Sequence, residues 1–369
     1  MRLSQMLPYG ALAGVLSAPL LATPVMAQQA AKVTFYGQLT PTYQYVDDGE
    51  DSNSNLADNG NSPSRIGMKV VTNLGPGELT FTLESALGLV QTGSYSQTND
   101  PDKLDWTLTS LRKLDFAYTG NFGTISIGQG STASDGTGEA DLSGTGLASY
   151  SGVADSAGGF EFRTAAGALS GISLGDVSSN MDGSRRARVR YDTPSFNGFV
   201  FSASYGQEVL AEGNDNDYYD LAVRYTKDVG DFTVQAATSY QWVDIADGDT
   251  TERYVISAAA LHEPTGLNAA VSYGAQTEGG DADYAYVKLG YKARFLNVGG
   301  TNFSIDYYQG NDFLTAGDES GSTAFTVLQE FDNQDLEVFA SLRRSSYEDT
   351  SAVSYQDVDS ILIGGRLKF

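Results

Sequence analysis

The sequence of 369 residues has no cysteine and a single histidine. An exported chain of this composition is held by its own hydrogen bonding and packing, without disulfides. The lone His262 sits in LHEPTG, at a turn, with no serine and third partner arranged around it. A hydrolytic triad needs all three groups, so the chain reads as a non-enzyme. Positive charge is also scarce: 22 Lys and Arg stand against 46 Asp and Glu. That balance argues against nucleic acid as a partner. No stretch approaches the roughly 18 uninterrupted apolar residues of a membrane helix. The apolar run from Leu7 to Ala22 is short and broken by Pro and Gly. It follows Arg2 and precedes Val25, Met26 and Ala27, a secretory signal pattern with cleavage expected after Ala27. Residues 1–27 are therefore expected to be a signal peptide, and 28–369 a single domain, since no composition shift divides them.

What the chain does have is glycine, 42 residues, and tyrosine, 22. It also has a period of two, which argues for strands. In VTFYGQLTPTYQY (33–45), Val33, Phe35, Leu39, Tyr43 and Tyr45 fall on one face and Thr34, Gln38, Thr40, Thr42 and Gln44 on the other. ELTFTLES (78–85), FTVQAATSYQW (232–242), LNAAVSYG (267–274) and ILIGGRLKF (361–369) repeat the pattern. Turn sequences separate the runs in two alternating sizes. The short ones include NLGPGE (73–78), TGNFG (119–123), DTPSFNG (192–198) and HEPTG (262–266). The long ones are polar, at 46–63, 89–104, 131–184, 206–217, 244–252, 277–282, 310–321 and 347–356. Eight long and seven short connections join 16 strands.

A soluble sandwich would bury the apolar faces. A membrane barrel turns them to lipid and encloses the polar faces around a wet lumen. Closure also removes every unpaired edge, which lipid demands. Alternating loop lengths and aromatics near strand ends (Tyr43, Tyr205, Tyr225, Trp242, Phe295, Phe369) favour the barrel. The expected fold is all-β: a 16-stranded antiparallel transmembrane β-barrel with short periplasmic turns and long outer loops. A lumen of that width is an aqueous channel.

Several segments resemble the general porins of Gram-negative outer membranes. They are VTFYGQL (33–39), SRIGMKV (64–70) with ELTFTLE (78–84), FAYTGNFGTISIGQG (116–130), RARVRYDTPSFNGFVFSASYG (186–206) and LIGGRLKF (362–369). The resemblance spans the chain. It implies an outer-membrane homotrimer, passive diffusion of small hydrophilic solutes and ions, and a third loop folded into each pore.

The connection 131–184 is the longest and rich in small residues. The resemblance implies that it is the constriction loop and presents Asp135, Glu139, Asp141 and Asp155 to the pore. Glu161 and Arg163 either anchor the loop or line the pore. The opposing wall is expected to be basic. In RRARVRY, alternation puts Arg186, Arg188 and Arg190 on one face and Ala187, Val189 and Tyr191 on the other. A lipid-facing Arg near the midplane costs roughly 2–4 kcal/mol, so the three arginines point to water. Arg185 has the other parity and is assigned to the strand's edge or the loop. Arg65 and Lys69 face inward if Ile66, Met68 and Val70 face lipid. Lys113 does so if Leu114 and Phe116 face lipid. Arg65 and Lys113 match basic positions of the family, whereas Gln38 stands where relatives carry Lys. With one eyelet cation missing and an acidic loop, weak cation preference is expected.

The acidic runs 47–61, 212–220, 244–249 and 278–283 could hold Ca²⁺ loosely and bridge to outer-membrane lipid and lipopolysaccharide. No other cofactor is expected. The alternatives are a substrate-specific porin with a defined solute site, or a barrel enzyme.

Overall fold

The computed structural model describes residues 31–369, apart from 247 and 249. The expected signal peptide, 1–27, lies outside the described residues. Seven strands open the chain: β1 (Lys32–Leu39), β2 (Pro41–Asp47), β3 (Ser52–Asp58), β4 (Arg65–Leu74), β5 (Gly77–Ala86), β6 (Leu111–Gly120) and β7 (Gly123–Ser131). Inside the loop that follows, β8 (Glu161–Arg163) and β9 (Leu169–Ser173) pair with each other. The wall resumes with β10 (Arg185–Asp192), β11 (Phe199–Gln207), β12 (Asp217–Val229), β13 (Phe232–Asp244), β14 (Thr250–His262) and β15 (Leu267–Glu278). It ends with β16 (Asp283–Leu296), β17 (Gly299–Asn311), β18 (Glu319–Phe331), β19 (Leu336–Glu348) and β20 (Val358–Lys368).

Each wall strand pairs antiparallel with the next, and β20 returns to β1 and β2 through Gln38↔Lys368 and Tyr43↔Ile363. Two strands are interrupted. β1 and β2 part before Pro41, which has no amide to donate to a ladder. β3 and β4 part at 59–64, where Asp58 accepts from the Ser64 amide and hydroxyl, both at 2.7 Å. Taking each interrupted pair as one strand, the sheet is a closed 16-stranded antiparallel barrel.

The residue distribution is inverted relative to a water-soluble domain. Phe35 is 75% exposed on the outside, and Ile305 52%. Lys288 and Asp306 on the inside are 1% and 2% exposed. A continuous apolar outer surface of this extent belongs in lipid. Aromatic pairs bound it at both ends, as interfacial girdles do. Tyr205–Tyr219 (5.0 Å), Tyr240–Trp242 (4.6 Å) and Tyr254–Tyr273 (6.0 Å) lie toward the loops. Phe199–Tyr225 (4.6 Å), Phe232–His262 (4.7 Å) and Phe295–Phe303 (6.1 Å) lie toward the turns.

Two expectations need correction. Several connections anticipated as long are shorter than expected, though most still exceed the two-residue turns at the other end. The span 46–63 holds a turn at 48–51 and then β3, and some later loops shrink because strands run on into them, as Asp217 and Glu278 show. Past the lipid, both strand faces are polar, so the alternation that marks a strand fades while the backbone ladder continues. Among the described residues, 87–110 and 132–184 are the longest connections. Second, the lumen is not wholly polar. Phe160 and Phe162 of the loop pack with inward-facing Val46, Tyr347 and Val358, and Leu147 packs with Leu328, Phe339 and Leu362.

Candidate pore constriction

The connection 132–184 lies along the inner wall, and hydroxyl groups on β11, β13, β14, β17 and β20 hold it there. Ser204 Oγ accepts from the Ala133 amide at 2.7 Å, and Ser239 and Thr137 hydroxyls meet at 2.7 Å. Ser257 donates to the Thr137 carbonyl at 2.6 Å and accepts from the Ala140 amide at 3.2 Å. Thr145 meets Ser304 at 2.7 Å, and Ser156 meets Ser360 at 3.0 Å. Short side chains on both partners let the loop backbone approach the wall closely. That is the structural use of its Gly, Ala and Ser content.

Charged clamps reinforce the seam. Lys288 of β16 donates to Asp141 at 2.8 Å and to the Ser149 carbonyl at 2.6 Å. The Ser149 hydroxyl donates to Asp306, which Arg343 also holds at 3.2 Å. Arg163 pairs with Asp48 at 2.9 Å and Asp51 at 3.0 Å, on the turn 48–51. Glu161 accepts from the Gly171 amide at 2.8 Å. Of the two roles left open for Glu161 and Arg163, anchoring is the one these contacts describe.

Opposite the loop, three arginines gather. Arg65, Arg112 and Arg366 line a cavity of ≈ 410 Å³ together with Glu139 and Asp141 of the loop and Glu330 and Glu337 of the wall. Arg112 pairs with Glu84 at 2.7 Å, and Arg65 lies 3.8 Å from the same carboxylate. Arg366 pairs with Glu337 at 2.5 Å and donates to Ser62 at 3.2 Å. Each keeps 16–22% of its side chain open to lumen water. Lys69 and Lys113 line a neighbouring cavity of ≈ 380 Å³ with Thr34, Tyr36, Thr82 and Glu84.

The other anticipated residues sit elsewhere. Arg188 is buried, with its guanidinium bonded to Asp115 at 2.7 Å and to the carbonyls of Gly128 (3.1 Å) and Ser131 (3.0 Å). Arg190 is held by Asp192 and by the Thr132 carbonyl, both at 2.7 Å. Both therefore fasten the base of the loop and do not line the cavity with Glu139. Arg186 lies nearer the mouth, paired with Glu208 at 3.1 Å and stacked on Tyr218, 4.2 Å from the ring centre. Gln38 is turned into the wall break, donating to Ser62 and Pro63 carbonyls at 2.9 and 3.1 Å. Asp155 is buried beneath the loop, accepting from Tyr150, and faces no open lumen. Asp135 gives its carbonyl to Arg224 at 2.7 Å, with its carboxylate near Glu139 and Arg185.

Arg112 escaped sequence reasoning because of a bulge. Glu84 stands opposite Lys113 and Ser85 opposite Leu111, so Arg112 is the extra residue. A bulge re-aims a side chain against the alternation. Arg185 begins β10, and its carboxylate neighbours are Asp135, Glu84 and Glu139, so from the strand's edge it reaches the lumen. Arg366 carried a legible signal: it shares parity with Leu362 and Ser360, both inward.

The loop's acids are electrostatically strained. Burial, followed by the charges of Asp182 and Asp135, raises the Glu139 carboxyl above its ordinary range. Its side chain is exposed to lumen water within the narrow cavity, so solvent screens part of this effect. Burial likewise raises Asp155, and Asp182 as well, although the amides of Gly138 (3.0 Å) and Gly136 (2.5 Å) support the ionised form of Asp182. Among the described residues, no three His, Cys, Asp or Glu side chains gather as metal ligands. His262 bonds Thr265 at 2.8 Å and packs on Phe232.

Comparison with known proteins gives one family. A family profile described as Gram-negative porin matches residues 11–350. No curated protein matches the chain. Solved structures do so at low identity. The anion-selective porin from Comamonas acidovorans is 18% identical with a TM-score of 0.59, over 92% of this chain and 100% of that one. The trimer form of OmpT, an outer membrane protein of Vibrio cholerae, is 16% identical with a TM-score of 0.58, over 92% and 100%. Salmonella typhi OmpF, in complex with daunomycin, is 14% identical with a TM-score of 0.56, over 91% and 97%.

Proposed function

The chain belongs to the Gram-negative porin family and is an outer-membrane diffusion channel, and on that premise we propose that it passes small hydrophilic solutes and ions selected by size and charge. The observation that carries this reading is one cavity with two faces: Glu139 and Asp141 on the loop, Arg65, Arg112 and Arg366 on the wall. Opposed rows of charge in a narrow, low-dielectric passage create a transverse field. Dipolar solutes align in that field. Apolar ones cannot replace the water it orders. Glu330 and Glu337 also line the cavity, so four carboxylates face three guanidinium groups. With a formal charge of −24 on the whole chain, this balance favours weak cation preference.

The working form is a homotrimer in lipid and lipopolysaccharide, with Ca²⁺ bridging acidic loops to the lipid head groups. The trimer form among the similar structures supports the assembly. Reconstitution into planar bilayers across a KCl gradient tests the reading. A stepwise conductance with a reversal potential on the cation side is expected. A clear anion preference would contradict the selectivity, and no conductance would contradict the channel.

A further inference from the structure

A second cavity, of ≈ 750 Å³, lies beside the loop 87–110 and shares Asn61 and Arg112 with the constriction. Three guanidinium groups line it: Arg112, Arg185 and Arg186. Arg112 and Arg186 have carboxylate partners in Glu84 and Glu208. Arg185 has no ion pair or side-chain hydrogen bond among the described residues, although it lies among charged groups. A cation drawn away from bulk water without a bonded partner is costly to keep. An anion delivered from solution would complete it.

The same cavity holds a group of the opposite sense. Gln129 is only 7% exposed, and its Oε1 has no hydrogen-bond partner. A buried acceptor left unpaired costs about 1–3 kcal/mol, which an N–H or O–H entering the cavity relieves once the amide turns toward it. Asp102 and Asp105 of the overhanging loop line the cavity too. A simple anion would satisfy Arg185 but meet these carboxylates and leave Gln129 unpaired. A simple cation would face three arginines. A solute that carries both charges satisfies both sets.

We propose that this cavity is a saturable binding site for small zwitterions bearing a carboxylate and a protonated amine, namely amino acids and short peptides, held beside the constriction before passage. Arg185 takes the carboxylate, and Gln129 Oε1 accepts from the ammonium. The proposal deepens the channel reading and rests on it for its biological sense, but binding itself can be measured without conduction.

The test is calorimetric titration of the folded protein in detergent with alanyl-alanine. Saturable heat is expected. N-acetyl-alanyl-alanine lacks the ammonium and alanyl-alanine amide lacks the carboxylate. Each should bind at least roughly tenfold more weakly, the loss of one charge-assisted contact. Arg185→Gln should weaken the parent dipeptide by a similar factor while leaving the amide unaffected, and Gln129→Leu should weaken the parent dipeptide while leaving N-acetyl-alanyl-alanine unaffected. Absent binding, or equal binding of all three peptides or of wild type and Arg185→Gln, overturns the site. KCl conductance measured alongside separates the two readings, since its absence counts against the channel and not against the binding site.

Discussion

Two groups of arginines on the same barrel wall do opposite work. Arg188 and Arg190 stand in β10 beside the base of the inward loop, and each of their guanidinium nitrogens bonds Asp115, Asp192 or a backbone carbonyl, although Arg190 at 17% is as exposed as Arg112 at 16%. Arg65, Arg112 and Arg366 come from β4, β6 and β20, and each pairs with one shared or local carboxylate while keeping a face to the lumen. The residue type is the same. What differs is how completely the protein satisfies each guanidinium. A saturated arginine is a fastener. A part-satisfied one leaves field in the water, where a passing ion can feel it.

The most severe way to break this contrast is to unfasten the loop. Arg188→Met should cost roughly 2–3 kcal/mol, because it leaves the part-buried Asp115 without its cation. The urea midpoint of the reconstituted barrel would show it. A midpoint equal to wild type would mean that Arg188 is not a fastener.

A gentler test sharpens the acidic side. Glu139 binds its proton more tightly folded than unfolded, because burial and then Asp182 and Asp135 raise its carboxyl. Its contribution to stability is complete below the ordinary carboxylate value of 4.5 and is lost as pH rises through the raised value. Ionisation in the same window adds negative charge to the constriction, so cation preference should climb with pH. Glu139→Gln should flatten both trends, measured as reversal potential and melting temperature against pH.

The smallest expected effect concerns the hydroxyl seam. Ser257→Ala removes a donor to the Thr137 carbonyl and an acceptor for the Ala140 amide. It should cost about 1 kcal/mol and raise open-channel current noise as the loop loosens. Unchanged noise would place the loop's rigidity in the charged clamps instead.

The wall was legible in the sequence because lipid enforces strict alternation: Phe35, Phe116 and Ile305 face outward as the period of two requires. The long loop was legible by its length and small residues, and its inward fold by the resemblance to general porins. The division of labour among arginines was not. Parity tells whether a side chain enters the lumen, but Asp115 lies on β6 and reaches Arg188 across β7, a pairing only the folded register reveals. Arg112 was hidden by a bulge, and bulges have no parity signature. The turn at 48–51 and β3 were hidden because SNSNLAD has few apolar residues to alternate.

The central claim is that the part-satisfied arginines set selectivity and the saturated ones do not. Reversal potentials of Arg112→Gln and Arg190→Gln, measured in the same KCl gradient, test it most directly. Arg112→Gln should move the potential toward stronger cation preference, and Arg190→Gln should leave it at the wild-type value. A shift in Arg190→Gln with none in Arg112→Gln would contradict the account.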